Sequence, residues 1–496
     1  MTGPLALLGL AASQALSPGY ADAGVFQFRD EAILGTRLNL ILMAPSEAIA
    51  RTAALAARAE IDRLDGVLNS RRPGGELVAL NRAGAFHASP DLFAVVQAAE
   101  AWRQRTAGAY SGRLGRVIDL WRGADGAPPD RAEAARLAQA ANQAEVGLDP
   151  ARRLIHRPSA VEFALDGLAK GYIVDRALAA ARVACPELTG GLVDIGGDIR
   201  CWGEAPWPSG WAVDLPDPIR PADNAPAAAM LDLRDQAIAT SGRGPRDRLI
   251  GGQRYSPTLS PFDGWSVERA LSASVIAPSA ADADALATAL MVAPQNAQQW
   301  AQGEVGARLT LASGQVQIAG LWRGAGPAAE LIPAANAPAA RPGQWPAGWQ
   351  ALTTFTAPRR QLLRDPDFRS PYVAIWVTDT KNRLVRTLIL VGKKPDWQKD
   401  NFIWWSSNRA QALKMISVRS MGTSGAGIYN VFWDGVDDAG KPVAAGTYVI
   451  HVETSRERGK HTYRSITVDF SQPRRFNQAL PSTEEGGGLK VNFDRY

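Results

Sequence analysis

The chain has 496 residues, of which 46% are hydrophobic and 21% charged, a balance that excludes wholesale disorder, a collagen-like repeat and a disulfide scaffold. A net charge of +5, from 54 basic and 49 acidic residues, is small for this length, and no Lys/Arg stripe with interleaved aromatics points to nucleic acid. Length alone implies two to four domains, because single cores rarely grow past roughly 250–300 residues.

The chain start carries a pattern. No Lys or Arg precedes Arg29, Pro4–Ala12 is a short apolar run, and Ala21-Asp22-Ala23 has the small-x-small form of a cleavage site. Residues 1–23 therefore read as a secretory signal segment that lacks a basic start. The run is too short to span a bilayer, which takes about 20 residues. Two cysteines, Cys185 and Cys201, with four histidines in the whole chain, make no zinc site. They fit a single disulfide or, better, two unrelated buried thiols.

Apolar spacing predicts a long amphipathic helix over Ser46–Leu68 and further helices over Pro90–Thr106 and Lys170–Val183. Strands are expected at Val161–Leu165, Gly190–Ile199, Trp211–Leu215 and Leu271–Ile276. Residues 30–322 thus interleave helices and strands in one α/β or α+β body. Residues 323–350 are rich in Pro, Ala and Gly and read as a linker. Beyond them, aromatic and β-branched runs at Tyr372–Val377, Leu384–Val391, Phe402–Trp405, Tyr429–Trp433 and Thr447–Glu453 predict a β-sandwich over 351–471. Residues 472–496 read as an extended tail.

Four segments of the first body carry chemistry. Val161–Leu165 leads through a Gly turn at Asp166-Gly167 into the helix that carries Lys170 and Asp175, and amides at such a helix start, with a nearby ammonium, attract phosphate. Gly191–Arg200 runs an apolar strand into Gly196-Gly197, where a bulge, a bend or close approach of a ligand is expected. In Ala281–Leu290, Asp284 and Thr288 are four apart and share a helix face, and their hard oxygens suit Mg²⁺. The fourth pair is Leu34-Gly35-Thr36 with Ser70–Asn81. Taken singly, each also fits an ordinary turn or a solvated carboxylate.

Together and in this order, the four segments resemble the ApbE family of FAD:protein FMN transferases, over about residues 30–322. The resemblance implies an α+β, T-fold-like flavin transferase domain. It implies FAD as substrate, Mg²⁺ on the FAD diphosphate, and a Ser or Thr hydroxyl of a partner protein that receives FMN as AMP leaves. Carried over by residue, the metal ligands are Asp284, Thr288 and the carbonyl of Gly167, and Asp284 and Lys170 are the catalytic pair. The FAD site takes Leu34, Arg71, Gly108, Ala109, Tyr110, Ala164, Lys170 and Thr258. Leu34 stands where the family has Met, and Tyr110-Ser111 where it has Phe-Asp. Ser256-Pro257-Thr258-Leu259-Ser260-Pro261 stands where it has His-His-Ile-Ile-Asp-Pro.

Phosphoryl transfer needs charge neutralisation and alignment more than covalent help, so a site without a catalytic His is chemically complete. Two rival readings share the same residues: a flavin-binding interaction protein without transfer activity, and an FAD pyrophosphatase in which water replaces the acceptor hydroxyl. The second body resembles a periplasmic module that follows ApbE domains and, over Tyr429–Glu453, the Ig-like fold of FlgD-type proteins. Its Asp434, Asp437 and Asp438 read as turn residues rather than a Ca²⁺ site. Ser424-Gly425-Ala426-Gly427 echoes the Ser-Gly-Ala-Thr stretch on which acceptors of this family receive FMN, but Gly427 has no hydroxyl. The acceptor is therefore expected to be a separate envelope redox protein with a Ser-Gly-Ala-Thr-like motif, met in the periplasm or peripherally at the membrane.

Overall fold

The computed structural model describes residues 24–206, 210–219, 227–244, 247–322, 345–346, 348–356, 372–391, 402–404, 428–438, 441–455, 461–481 and 488–495. The expected signal segment, most of the expected linker and Ser424–Gly427 lie outside them.

Eight strands form one sheet: β1 (Gly24–Ile33), β2 (Thr36–Ala44), β3 (Gly190–Ile195), β4 (Asp198–Gly203), β5 (Ala237–Gly242), β6 (Ala270–Ala277), β7 (Gly306–Leu311) and β8 (Val316–Gly320). They lie side by side in that order, and each neighbouring pair is antiparallel. Four helices shape the site: α1 (Glu47–Leu68), α2 (Pro90–Arg105), α3 (Asp166–Ala184) and α4 (Ala280–Val292). Ser46, Ser89 and Ser279 cap α1, α2 and α4, each side chain accepting an amide N–H three residues on. α1 buries a stripe from Ala50 through Ala57 to Ile61, Leu64 and Leu68. Its alanines let it lie close against α3, which in turn packs on α4. α4 is apolar almost all round, as a helix enclosed between α3 and strands β5 and β6 must be. Asp284 is thus a charged group on a buried helix. The other face of the sheet is covered by a separate ribbon, Trp211–Leu215 paired with Ala229–Leu233, which packs on Leu192, Ile199, Ile238 and Ile276.

Three expectations for this body change. Val161–Leu165 is not a strand; only Glu162 bridges to Leu114, because Phe163 spends its N–H and C=O on the Asn81 side-chain amide instead of on a neighbouring strand. Gly190–Ile199 is not one strand with a bulge but two, β3 and β4, joined at Gly196-Gly197. The body also begins before residue 30, since β1 starts at Gly24. Cys185 and Cys201 are both buried free thiols, bonded to the carbonyls of Ile49 and Gln236.

The described strands beyond residue 345 form two four-stranded antiparallel sheets. One has the order β12 (Ile428–Trp433), β9 (Trp349–Thr356), β16 (Leu489–Arg495), β15 (Phe476–Leu480). The other has the order β11 (Leu384–Val391), β10 (Tyr372–Asp379), β13 (Thr447–Ser455), β14 (Thr462–Asp469). Their inner faces share one core, with Phe355, Val431, Trp433, Val491 and Phe493 on one side and Val373, Ile375, Ile450, Val452 and Val468 on the other. This corrects the expected tail. Leu489, Val491 and Phe493 alternate into the core, so residues 489–495 form an inner strand of the first sheet. The expected linker also ends earlier, since the Trp345 ring sits 4.7 Å from Trp433 inside the sandwich. Phe402–Trp404 is helical rather than extended, because the buried Glu453 carboxylate accepts the Ile403 and Trp404 amides. Asp437 accepts the amide of Lys441, as a turn residue does, whereas Asp438 accepts that of Thr387 on β11.

One titratable group in this sandwich has a clear pH consequence. His451 is 4% exposed, stacks on Trp376 and hydrogen-bonds Thr378 and Tyr463. Burial depresses its pKa from 6.5 to about 4. The unfolded chain therefore takes up this proton first as pH falls, so stability drops between pH 6.5 and 4, by roughly 3 kcal/mol in all. Thermal unfolding at pH 7 and pH 5 should show this decline in the wild type and a smaller one in His451→Gln. Equal declines would remove His451 as the cause.

Candidate functional site

The site forms where α3 and α4 meet, and glycines permit the meeting. A Cβ on Gly171 would lie 2.1 Å from the Ala280 carbonyl oxygen, and one on Gly167 would lie 2.9 Å from Thr288 Oγ1. These two positions are one helical turn apart, so one face of α3 is bare backbone against α4. Across it, the Gly171 amide donates to Asp284 Oδ2 at 3.3 Å. In an uninterrupted helix that amide would serve the carbonyl of Gly167 alone. One turn further along α3, the Asp175 carboxylate accepts the amides of Ala280 and Ala281 at 3.0 and 3.1 Å. Burial raises the Asp175 pKa, and these two donors, with Arg200 at 3.6 Å, favour its charged form. The Asp trailing the Lys-Gly-Tyr segment is thus a clamp on the start of α4.

Beside this interface is a cavity of about 920 Å³. Its wall includes Gly167 and Lys170 from α3, Asp284 and Thr288 from α4, and Ala164 just before α3. Leu34, Arg71, Ala109, Tyr110 and Thr258 line other sides. The structure therefore brings together every expected site residue except Gly108. That glycine does not line the cavity; it follows Ala107 at φ 50° with its own φ of 87° and turns the chain so that Ala109 and Tyr110 can. The same loop is pinned behind the wall. Thr106 Oγ1 accepts the Tyr110 amide, and the buried Arg113 guanidinium forks onto Glu100.

Two hairpin turns close another edge. Leu34-Gly35 joins β1 to β2 with φ values of 49° and 74°, and Gly196-Gly197 joins β3 to β4 with 62° and 93°. Paired positive φ values define the tight turn that suits a twisted hairpin. The turns touch, since a Cβ on Gly196 would fall 2.5 Å from Thr36 Oγ1. Asp194 accepts the Gly197 amide at 2.8 Å, and burial pushes its carboxyl up to about 6. Asp198, 1% exposed, places its carboxylate 2.6 Å from the Lys170 ammonium. Lys170 is therefore not the free point charge that its sequence position suggests.

Several wall residues carry no signal that isolated motifs reveal. Thr240, Ser241 and Ser272 come from the ends of β5 and β6, and the Ser241 hydroxyl is 3.2 Å from Thr288 Oγ1. The Thr-Ser-Gly that ends β5 marks only Thr240 and Ser241 in the sequence. Arg248 holds the carbonyls of Trp121, Arg122 and Ala124 and so ties down the far wall. Ser256–Pro261 lies on the cavity as a self-satisfied loop: Ser256 accepts the Thr258 amide, and Ser260 accepts that of Phe262. It holds no titratable side chain.

Among the described residues no group of three or more His, Cys, Asp or Glu could hold a metal by itself. The oxygen donors on this part of the wall are the carboxylates of Asp284 and Asp166 and the hydroxyls of Thr288 and Ser241, with Gly167 packed against Thr288. This small, hard set fits a cation that shares its coordination with phosphate oxygens, rather than a fully protein-bound ion. The buried Tyr110 hydroxyl has no hydrogen-bond partner, which marks the same wall as incomplete by itself. Burial and the nearby Asp284 and Asp166 raise the Tyr110 pKa, so it remains a neutral donor.

Both parts of the chain are similar to known proteins. Residues 34–309 match the model of the ApbE family, and residues 357–487 match that of a predicted periplasmic protein, DUF2271. The chain is 30% identical over 238 residues to an FAD:protein FMN transferase of Klebsiella pneumoniae, covering 46% of this chain and 72% of that one. It is 28% identical over 246 residues to one of Treponema pallidum, covering 46% and 67%. Among solved structures, the ApbE protein of Thermotoga maritima superposes with a TM-score of 0.53 at 24% identity, over 60% of this chain and 97% of that one. The flavin transferase ApbE of Vibrio cholerae gives 0.51 at 21%, over 60% and 96%. These two likenesses are of fold.

Proposed function

The chain belongs to the ApbE family, and on that premise we propose that it transfers FMN from FAD to a Ser or Thr hydroxyl of an envelope redox protein, with AMP as leaving group. The observation that carries this reading is the α3–α4 interface, where Asp284, Thr288 and Gly167 meet on the wall of a cavity large enough for a dinucleotide. The acceptor oxygen forms a bond to the FMN phosphorus, and the bond from that phosphorus to the bridging oxygen breaks. The hydroxyl proton is lost to solvent, and the electron pair leaves on the AMP phosphate. Asp284, Thr288 and the Gly167 carbonyl would hold Mg²⁺, which supplies neutralisation of the diphosphate charge. Leu34, Ala109 and Tyr110 give the flavin ring an apolar wall, and Lys170 and Arg71 bring donors to its polar parts.

The match to a predicted periplasmic family favours an exported setting. No helix among the described residues is long and apolar enough to cross a membrane. The test is incubation with FAD, Mg²⁺ and an acceptor protein carrying Ser-Gly-Ala-Thr, followed by mass spectrometry of the acceptor and assay of AMP. Flavinylated acceptor with equimolar AMP supports transfer. One observation favours a second reading: Ser256–Pro261 offers no imidazole or carboxylate to orient an acceptor. Bound FAD without either product would make this chain a flavin-binding protein, and AMP without acceptor modification would make it a pyrophosphatase.

A further inference from the structure

We propose that Asp198 is a positioning residue for Lys170, and that the Gly-Gly-Asp hairpin and the Lys-Gly-Tyr helix act as one device in recognising FAD. The inference rests on the functional reading above. Asp198 is 1% exposed, and neither of its carboxylate oxygens has a hydrogen-bond partner. Its charge is met by the Lys170 ammonium at 2.6 Å. A buried carboxylate is tolerated only when it is compensated, so this contact is strongly held. Lys170, 19% exposed, also lines the cavity.

An ammonium has three N–H donors on a flexible four-carbon stem. Holding the ammonium in an ion pair with Asp198 restrains the stem and leaves its N–H donors for the cavity. The ion pair has no net charge, so Lys170 acts on a ligand as an oriented hydrogen-bond donor rather than as a diffuse positive charge. The position of Asp198 is itself set by the neighbouring turn. Gly196 and Gly197 hold φ values of 62° and 93°, Gly197 is tied to Asp194, and Gly196 rests on Thr36 of the Leu34-Gly35 hairpin. The two turns thereby set where the ammonium stands.

The experiment is a double-mutant cycle on the full chain, with FAD affinity read from flavin fluorescence and stability from the thermal midpoint. Asp198→Asn, nearly isosteric, should weaken FAD binding about tenfold, because Lys170 is released. Lys170→Met should weaken it to a similar degree, and Asp198→Asn added to Lys170→Met should cost no further affinity. Lys170→Met alone should lower the thermal midpoint by leaving Asp198 buried and unpaired, and the double variant should recover it. If Asp198→Asn does not fold, the last pair of variants still carries the test. Wild-type affinity in folded Asp198→Asn, losses that multiply in the double variant, or no recovery of stability would each overturn the proposal. A wild type that binds no FAD would overturn the functional reading, and this proposal with it.

Discussion

Replacing Asp284 with Ala is expected to lower FMN transfer by about 10³-fold or more while the protein stays folded. Asp284 is the only carboxylate that α4 contributes to the cavity wall, on a helix otherwise buried among apolar side chains. An ionisable group in such a place carries a desolvation cost that a core position would not retain. Across the helix interface it accepts the Gly171 amide at 3.3 Å, a donor that the α3 backbone can serve itself. Stability should therefore change little, whereas removing charge stabilisation from phosphoryl transfer typically costs 10²–10³ or more in rate. Binding of Mn²⁺ in place of Mg²⁺, followed by paramagnetic resonance, gives a readout independent of turnover and should be lost in Asp284→Ala. Mn²⁺ binding at wild-type affinity in the variant would exclude Asp284 as a ligand.

How much of this was legible in the sequence depends on whether a residue acts locally or across the fold. The Asp284/Thr288 pair could be read because four-residue spacing puts two side chains on one helix face wherever the helix goes. α1 and α2 were legible for the same reason, with Ser46 and Pro90 marking their starts. Lys170 was found, but its state was not. Nothing local links it to Asp198, 28 positions later in the chain, and only the β3–β4 hairpin brings them to 2.6 Å. Ser241 escaped for a similar reason: its hydroxyl matters only because β5 runs beside α4.

The misread segments share a physical cause, which is that backbone partners are not written in composition. Val161–Leu165 has strand-like residues, yet the Asn81 side chain takes the bonds that a neighbouring strand would have made. Residues 472–496 look polar and glycine-rich, and the alternation of Leu489, Val491 and Phe493 among them is short. It becomes a strand because β9 offers a full register of partners from Trp349 to Phe355. Phe402–Trp404 has β-forming residues but is captured as a helical turn by Glu453 from β13. Propensity decided the outcome only where no long-range acceptor competed.

Gly171→Ala is expected to have the largest effect on the fold, and its sign discriminates sharply. Ala is the better helix former by about 1 kcal/mol, so at an open position the change would stabilise α3. Here the new Cβ would lie 2.1 Å from the Ala280 carbonyl oxygen, 2.4 Å from its carbonyl carbon and 2.7 Å from the Ala281 nitrogen. All three are backbone atoms at the start of α4, where no side chain can swing aside. α3 and α4 must therefore separate. Separation pulls Ala280 and Ala281 from the Asp175 carboxylate and Asp284 from the Gly171 amide. Overpacking of this kind, with loss of a buried network, should cost roughly 3 kcal/mol or more. For a body of this size that lowers the thermal midpoint by about 6–12 °C. FMN transfer should fall too, since the displacement moves Gly167 away from Thr288. Gly66→Ala in α1 is the matched control: nothing lies within 4 Å of its added Cβ, so its midpoint should hold or rise. A Gly171→Ala protein melting at or above the wild type would show that the two helices are not in the contact on which this site depends.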